Sequence, residues 1–234
     1  MKKTLILSLL IIAIGYKLQA QDTLVNIHNS ADSYLFYLHG GVVQAQGIPA
    51  VSEYFGTYKY LAILDSLSNY HTNIISEVRP KDSTIEGYGQ KIFFQVDSLL
   101  NMGILPEKIT VVGASLGAYM TVEASLLVNN PSVNYVLIGL CSDSAVNRFR
   151  KYNGQLIGRF LSIYESSDAK GSCSTLFEGL SPASSFDEIR LNMGIDHSFL
   201  FKPYDDWVKP MMKWIKKACD EQRRGFAKGN GALH

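Results

Sequence analysis

Ser115 stands in Gly113-Ala114-Ser115-Leu116-Gly117, with one glycine two places before it and another two places after. A serine hydroxyl is a weak nucleophile at neutral pH. It attacks an acyl carbonyl only when a neighbouring base takes its proton and N–H donors receive the negative charge that develops on oxygen. Glycines at this spacing suit a sharp turn in which a side chain at either position would collide with nearby backbone. The run 108–112 before the turn is apolar and β-like, and the stretch from Leu116 onward has helical spacing. Strand, turn and helix in that order would raise the Ser115 hydroxyl above a sheet and set a helix N-terminus beneath the developing charge.

Three more groups could complete such a centre. Tyr37-Leu38-His39-Gly40-Gly41 ends an earlier β-like run. Its backbone can supply one oxyanion donor, Gly41 or Val42, opposite the Leu116 N–H, and this leaves His39 a structural role. His197, in Gly194-Ile195-Asp196-His197-Ser198, follows the last β-like run and precedes the C-terminal helical stretch, which suits a base. His28, His71 and His234 fit less well: they lie near the start of the chain, ahead of a strand and in the tail. The acid that would orient the base must come from a loop after a strand. Asp143, Glu165 and Asp168 qualify, and Asp168 is preferred because Glu165 continues directly from an apolar run and so belongs to its strand.

These residues need a scaffold. β-like runs fall at 34–38, 73–78, 108–112, 133–140, 159–164 and 189–193. Helical spacing covers about 51–69, 88–102, 116–128 and 205–221. Alternation of this kind predicts an α/β fold: a doubly wound, mostly parallel sheet with helices on both faces. Ligands then bind at the carboxyl ends of the strands, where the candidate residues fall.

Together the motifs resemble the α/β-hydrolase superfamily over about 34–217. The resemblance implies an eight-stranded-type sheet, acyl-transfer chemistry, and a Ser115-Asp168-His197 triad in the order nucleophile, acid, base. It also supports Asp168 by the G-x-x-D spacing, with Glu165 in the place of the glycine. Ile75-Ser76-Glu77-Val78-Arg79-Pro80, the segment 161–168 with Gly171-Ser172-Cys173, and His197-Ser198-Phe199-Leu200 with Pro203 and Trp207 look like a branch of small exported bacterial hydrolases. That branch brings no substrate with it. Ser198 departs from the glycine common after the base. The function this implies is cleavage of a carboxylic ester-type bond through an acyl-enzyme. Peptide or thioester cleavage comes second, and a non-catalytic binding protein on the same fold is the rival from another class.

About 18 residues separate the runs 133–140 and 159–164, too few for a helical cap, so the site should be open or covered only by 42–54. Glu77 and Arg79 would share one face near the carboxyl end of a buried strand, where charges are unusual. Either they form a structural ion pair, with each other or with the adjacent loop, or Arg79 reaches the mouth and holds an anionic substrate group.

The remaining features set limits. Residues 1–20 combine Lys2 and Lys3, an apolar stretch and the cleavage-like Leu18-Gln19-Ala20, which predicts an export leader and no stable membrane insertion after its removal. Removing Lys2, Lys3 and Lys17 takes the formal charge of the 234-residue chain from +1 to −2, which offers no footprint for nucleic acid. The domain is expected over 21–222, with a polar, disordered tail at 223–234. No metal-ligand cluster or phosphate loop is present, so no cofactor is expected beside a small-molecule acyl substrate. Cys141 ends one predicted strand and Cys173 closely follows the next, which predicts a bridge between them and leaves Cys219 free.

Overall fold

The structure is a computed structural model that describes residues 33–229, with side chains described to 217. The predicted leader, the end of the tail and the Cys219 side chain lie outside these bounds.

Near-continuous apolar runs dictate the central layer. Six strands, β1 (Ser33–Leu38), β4 (Thr72–Ile75), β5 (Ile109–Ala114), β6 (Asn134–Ile138), β7 (Arg159–Glu165) and β8 (Ser185–Leu191), form one sheet in the order β4-β1-β5-β6-β7-β8. Every pairing in it is parallel. The four inner strands are apolar on both faces because helices cover both. On one face α3 (Ile85–Asn101), α4 (Leu116–Val128) and α5 (Asp143–Phe149) pack on Phe36, Val111, Tyr135 and Phe160. On the other, α1 (Gly41–Gln46), α2 (Tyr60–Ser68) and α6 (Asp205–Gly229) pack on Leu35, Val112, Val136 and Leu161. Among the described residues no cap domain is inserted. The eight strands implied by the resemblance are six in this sheet among the described residues. A separate hairpin, β2 (Ala50–Ser52) and β3 (Gly56–Tyr58), lies beside the site.

Several predicted bounds change for physical reasons. The helix expected over 51–69 begins only at Tyr60, and the hairpin takes its first part. Val51, Tyr54, Phe55 and Tyr58 mimic a helical period, but Gly56 at φ 77° turns the chain back on itself. The strand expected over 73–78 stops at Ile75, and the next residue, Ser76, bonds the Tyr37 carbonyl through its hydroxyl at 2.6 Å. It is also a half-buried edge strand rather than a buried one. At the C-terminus, α6 runs to Gly229, through part of the segment expected to be a disordered tail. Gln222, Arg223, Arg224, Ala227 and Lys228 are all good helix formers.

Candidate active site

The turn at Ser115 is strained where the sequence required it. Ser115 has φ 51° and ψ −114°, and conformations of this kind cost a non-glycine residue on the order of 1–3 kcal/mol. Its two glycines permit close packing beneath it. A Cβ on Gly113 would stand 2.4 Å from the Gly117 carbonyl oxygen, and one on Gly117 would stand 2.0 Å from that of Leu38. The serine is therefore held by β5, by α4 and by the end of β1 at once.

The base approaches from the far side of β6. His197 lies in a 3-10 turn (Asp196–Phe201) after β8, and its ring crosses the end of β6 at Gly139, where an added Cβ would come within 3.1 Å of Cε1. Its Nε2 lies 3.0 Å from Ser115 Oγ and its Nδ1 2.5 Å from Asp168 Oδ2. Because a carboxylate only accepts, Nδ1 carries the proton and Nε2 is free to accept from the serine. Phe55 from the hairpin meets the same ring edge to face at 5.9 Å.

Of the three candidate acids, only Asp168 meets the base. Asp143 is the exposed first residue of α5. Glu165 ends β7, is fully buried, and ties together the loops that carry the acid and the base. Its carboxylate accepts from the Met193 N–H at 2.8 Å, the Gly194 N–H at 3.1 Å and the Ser167 N–H at 3.3 Å. Burial alone would raise the Glu165 carboxyl, but these N–H donors outweigh it and hold it below its ordinary value. Beyond Asp168 the segment is clamped again, by the Cys141–Cys173 disulfide and by a bridge between Cys141 and Gly171. Closing a loop of this separation is worth about 4 kcal/mol in the chain-entropy picture.

The N–H groups expected as oxyanion donors fall at two helix starts. Leu116 opens α4, while Gly41 and Val42 open α1, and N–H groups there have no intrahelical partner. The two starts touch: a Cβ on Gly41 would lie 3.5 Å from Leu116 Cδ2.

Arg79 and Glu77 part company. Glu77 is exposed and pairs with Lys91 and the Tyr88 hydroxyl. Arg79 turns inward, with 1% of its surface exposed, and does not line the cavity. Its guanidinium donates to the His39 carbonyl at 2.5 Å and to Gln44 Oε1 at 3.0 Å, and it lies over the Tyr88 ring at 5.2 Å. Its backbone N–H donates to His39 Nε2 at 3.1 Å. Of the two roles open from the sequence, Arg79 takes up contact with the adjacent loop and does not reach the mouth. Burial lowers the His39 pKa to about 4, so the imidazole is neutral and structural.

A cavity of about 550 Å³ opens over Ser115 and His197, roofed by the hairpin and the start of α1. The size is that of a small-molecule site. Lys170, which the sequence reading passed over, also lines it, with Nζ 3.3 Å from Ser115 Oγ. Its one sequence signal is its place two residues beyond Asp168. Among the described residues no cluster of His, Cys, Asp and Glu could hold a metal ion, and no helix is long and apolar enough to cross a membrane.

No protein-family model and no curated protein matches the chain. Solved structures do. An arylesterase superposes with TM-score 0.52 at 17% identity, covering 81% of this chain and 76% of that one. A monoacylglycerol lipase from Paleococcus ferrophilus gives 0.53 at 12% identity, covering 79% and 94%. The α/β hydrolase domain-containing protein 10 from mouse gives 0.51 at 12% identity, covering 81% and 90%. The architecture is the α/β-hydrolase fold.

Proposed function

We propose that this protein is a serine hydrolase of carboxylic ester-type bonds, with Ser115 as nucleophile, His197 as base and Asp168 as the acid that orients it. The observation that carries the reading is the unbroken Asp168–His197–Ser115 chain of hydrogen bonds, 2.5 and 3.0 Å long, at the floor of a cavity. Ser115 Oγ bonds to the acyl carbon as its proton passes to His197 Nε2, and the Leu116 and Gly41/Val42 amides receive the oxyanion. His197 then gives that proton to the departing alcohol. Water attacks the acyl-enzyme, loses a proton to His197, and the acid leaves as Ser115 recovers its hydrogen. The net change is ester plus water to acid plus alcohol. Two of the structural neighbours bear the names of ester-cleaving enzymes, which agrees with this reading.

An exported site of action belongs to the same proposal. The leader-like residues 1–20 support it, as does the Cys141–Cys173 disulfide, since such bonds persist in oxidising compartments.

The test is turnover of 4-nitrophenyl esters of increasing chain length by wild type and Ser115→Ala. Wild type is expected to turn over with an initial burst of nitrophenolate, and the variant to lose at least about 10⁴-fold in kcat. Residual turnover of a few per cent in the variant would place the nucleophile elsewhere.

A further inference from the structure

Lys170 is the group this mechanism leaves unused. Ser115 Oγ already has its base, yet an ammonium stands 3.3 Å away on another side. Hydrolysis through Ser115 and His197 does not require it, and its charge is not spent on the protein. Among the described residues no carboxylate lies within ion-pair distance of Nζ, and its one hydrogen-bond partner is Ser115. The nearest acid along the chain, Asp168, is occupied: Oδ2 faces His197, and Oδ1 accepts the backbone N–H of Lys170 itself at 3.0 Å.

The lysine is also held firmly. Its N–H is tied to the triad acid on one side, and Gly171 and Cys173 are anchored to Cys141 on the other. A half-buried lysine on so short a tether gives up much of its rotamer freedom, at a cost that its contact with a neutral hydroxyl does little to offset. A substrate anion would offset it. The one carboxylate that lines the cavity, Glu53, is on the exposed hairpin across the mouth, so the positive end of the site is at the nucleophile.

We propose that Lys170 is the specificity-determining residue of this cavity, and that the favoured substrates are esters carrying a carboxylate a few bonds from the carbonyl that Ser115 attacks. The proposal rests on the hydrolase reading above and narrows it. A lysine is a point charge with rotatable donors, suited to one carboxylate without demanding a planar bidentate geometry. Its distance from Ser115 Oγ puts the anion close to the reacting centre, so a charge many bonds away on a long chain gains nothing. Arg79, for which the sequence left this role open beside a structural one, is spent on the His39 carbonyl and Gln44.

The anion can sit on either side of the scissile bond, and two substrate pairs separate the cases. Mono(4-nitrophenyl) glutarate against 4-nitrophenyl pentanoate places it on the acyl side. 4-Butyryloxybenzoate against 4-butyryloxybenzamide places it on the leaving side. The readout is the ratio of kcat/KM for the charged ester to that for its neutral partner. Wild type is expected to favour the charged member of one pair, and Lys170→Met to lower that ratio by about 10- to 100-fold, the span of a charge-assisted hydrogen bond. Lys170→Arg should keep most of the preference and Lys170→Glu should invert it. Ratios unchanged by Lys170→Met in both pairs would overturn the proposal. So would an equal fall for charged and neutral esters, since Lys170 would then act on Ser115 and not on substrate. Failure of wild type to hydrolyse any of the four esters would count against the hydrolase reading itself, a result distinct from an unaltered ratio.

Discussion

On the oxyanion side of Ser115 a buried cation, Arg79, gathers the His39 carbonyl and the Gln44 side chain. On the acid–base side a buried anion, Glu165, gathers the N–H groups of Met193, Gly194 and Ser167. Among the described residues neither has an oppositely charged partner. Buried charges are costly unless their hydrogen-bonding capacity is met. Backbone dipoles and neutral side chains meet that of Glu165 and, at Nε and Nη2, that of Arg79, whose Nη1 has no hydrogen-bond partner among the described residues. Each side therefore positions main chain through a charged side chain that does not line the cavity. The sides differ in what titrates. A guanidinium stays charged at every relevant pH, so the network around Arg79 titrates through His39, whereas the network around Glu165 titrates through Glu165 itself.

The largest effect belongs to the groups being positioned. Asp168→Asn should lower kcat by about 10⁴-fold, because His197 loses the partner that fixes its tautomer, with KM little changed. Asp143→Asn should behave as wild type. Steady-state kinetics check both, and a severe Asp143→Asn with a mild Asp168→Asn would reverse the assignment.

Arg79→Met should come next. It strands the His39 carbonyl and the Gln44 amide oxygen, costing about 2–4 kcal/mol by urea denaturation. It should also slow kcat by about 10- to 100-fold through a displaced Gly40-Gly41 turn. Glu165→Gln should cost about 2–3 kcal/mol for the same reason on the other side. If Arg79→Met instead raised KM for charged esters alone, Arg79 would reach substrate after all.

A smaller effect lies in the pH dependence of stability. The folded pKa of His39 is lowered from 6.5 to about 4, so the unfolded chain takes up this proton first. Its contribution is fully present above about pH 6.5 and is lost progressively as pH falls towards about 4. Glu165 also has a lowered folded pKa, and its contribution, present above the ordinary carboxyl range, is lost only at lower pH. His39→Gln should therefore flatten Tm against pH between about 6.5 and 4, leaving the more acidic loss in place. A wild-type curve already flat across that window would remove His39 from the oxyanion-side network.

What could be read from the sequence follows the same division. That Ser115, Asp168 and His197 come together was legible because each sits just after a β-like run, and a parallel sheet gathers such positions at one edge. The Cys141–Cys173 pair was recoverable for that reason too. Arg79 stayed open between two roles because the sequence does not show that its strand ends at Ile75, which leaves Arg79 in a loop whose path no periodicity records. The hairpin over Ser115 was hidden by a false helical spacing. Lys170 lies on an irregular loop, where residue type carries little information until Asp168 and Cys173 fix the path of the chain.

The central claim is that Ser115 is an activated nucleophile. Incubating the wild type and Ser115→Ala with a fluorophosphonate and measuring intact mass tests it most directly. Wild type is expected to carry a single covalent adduct, mapped to Ser115, and Ser115→Ala none, with its fold intact. An unmodified wild type, or an adduct that survives the substitution, would contradict it.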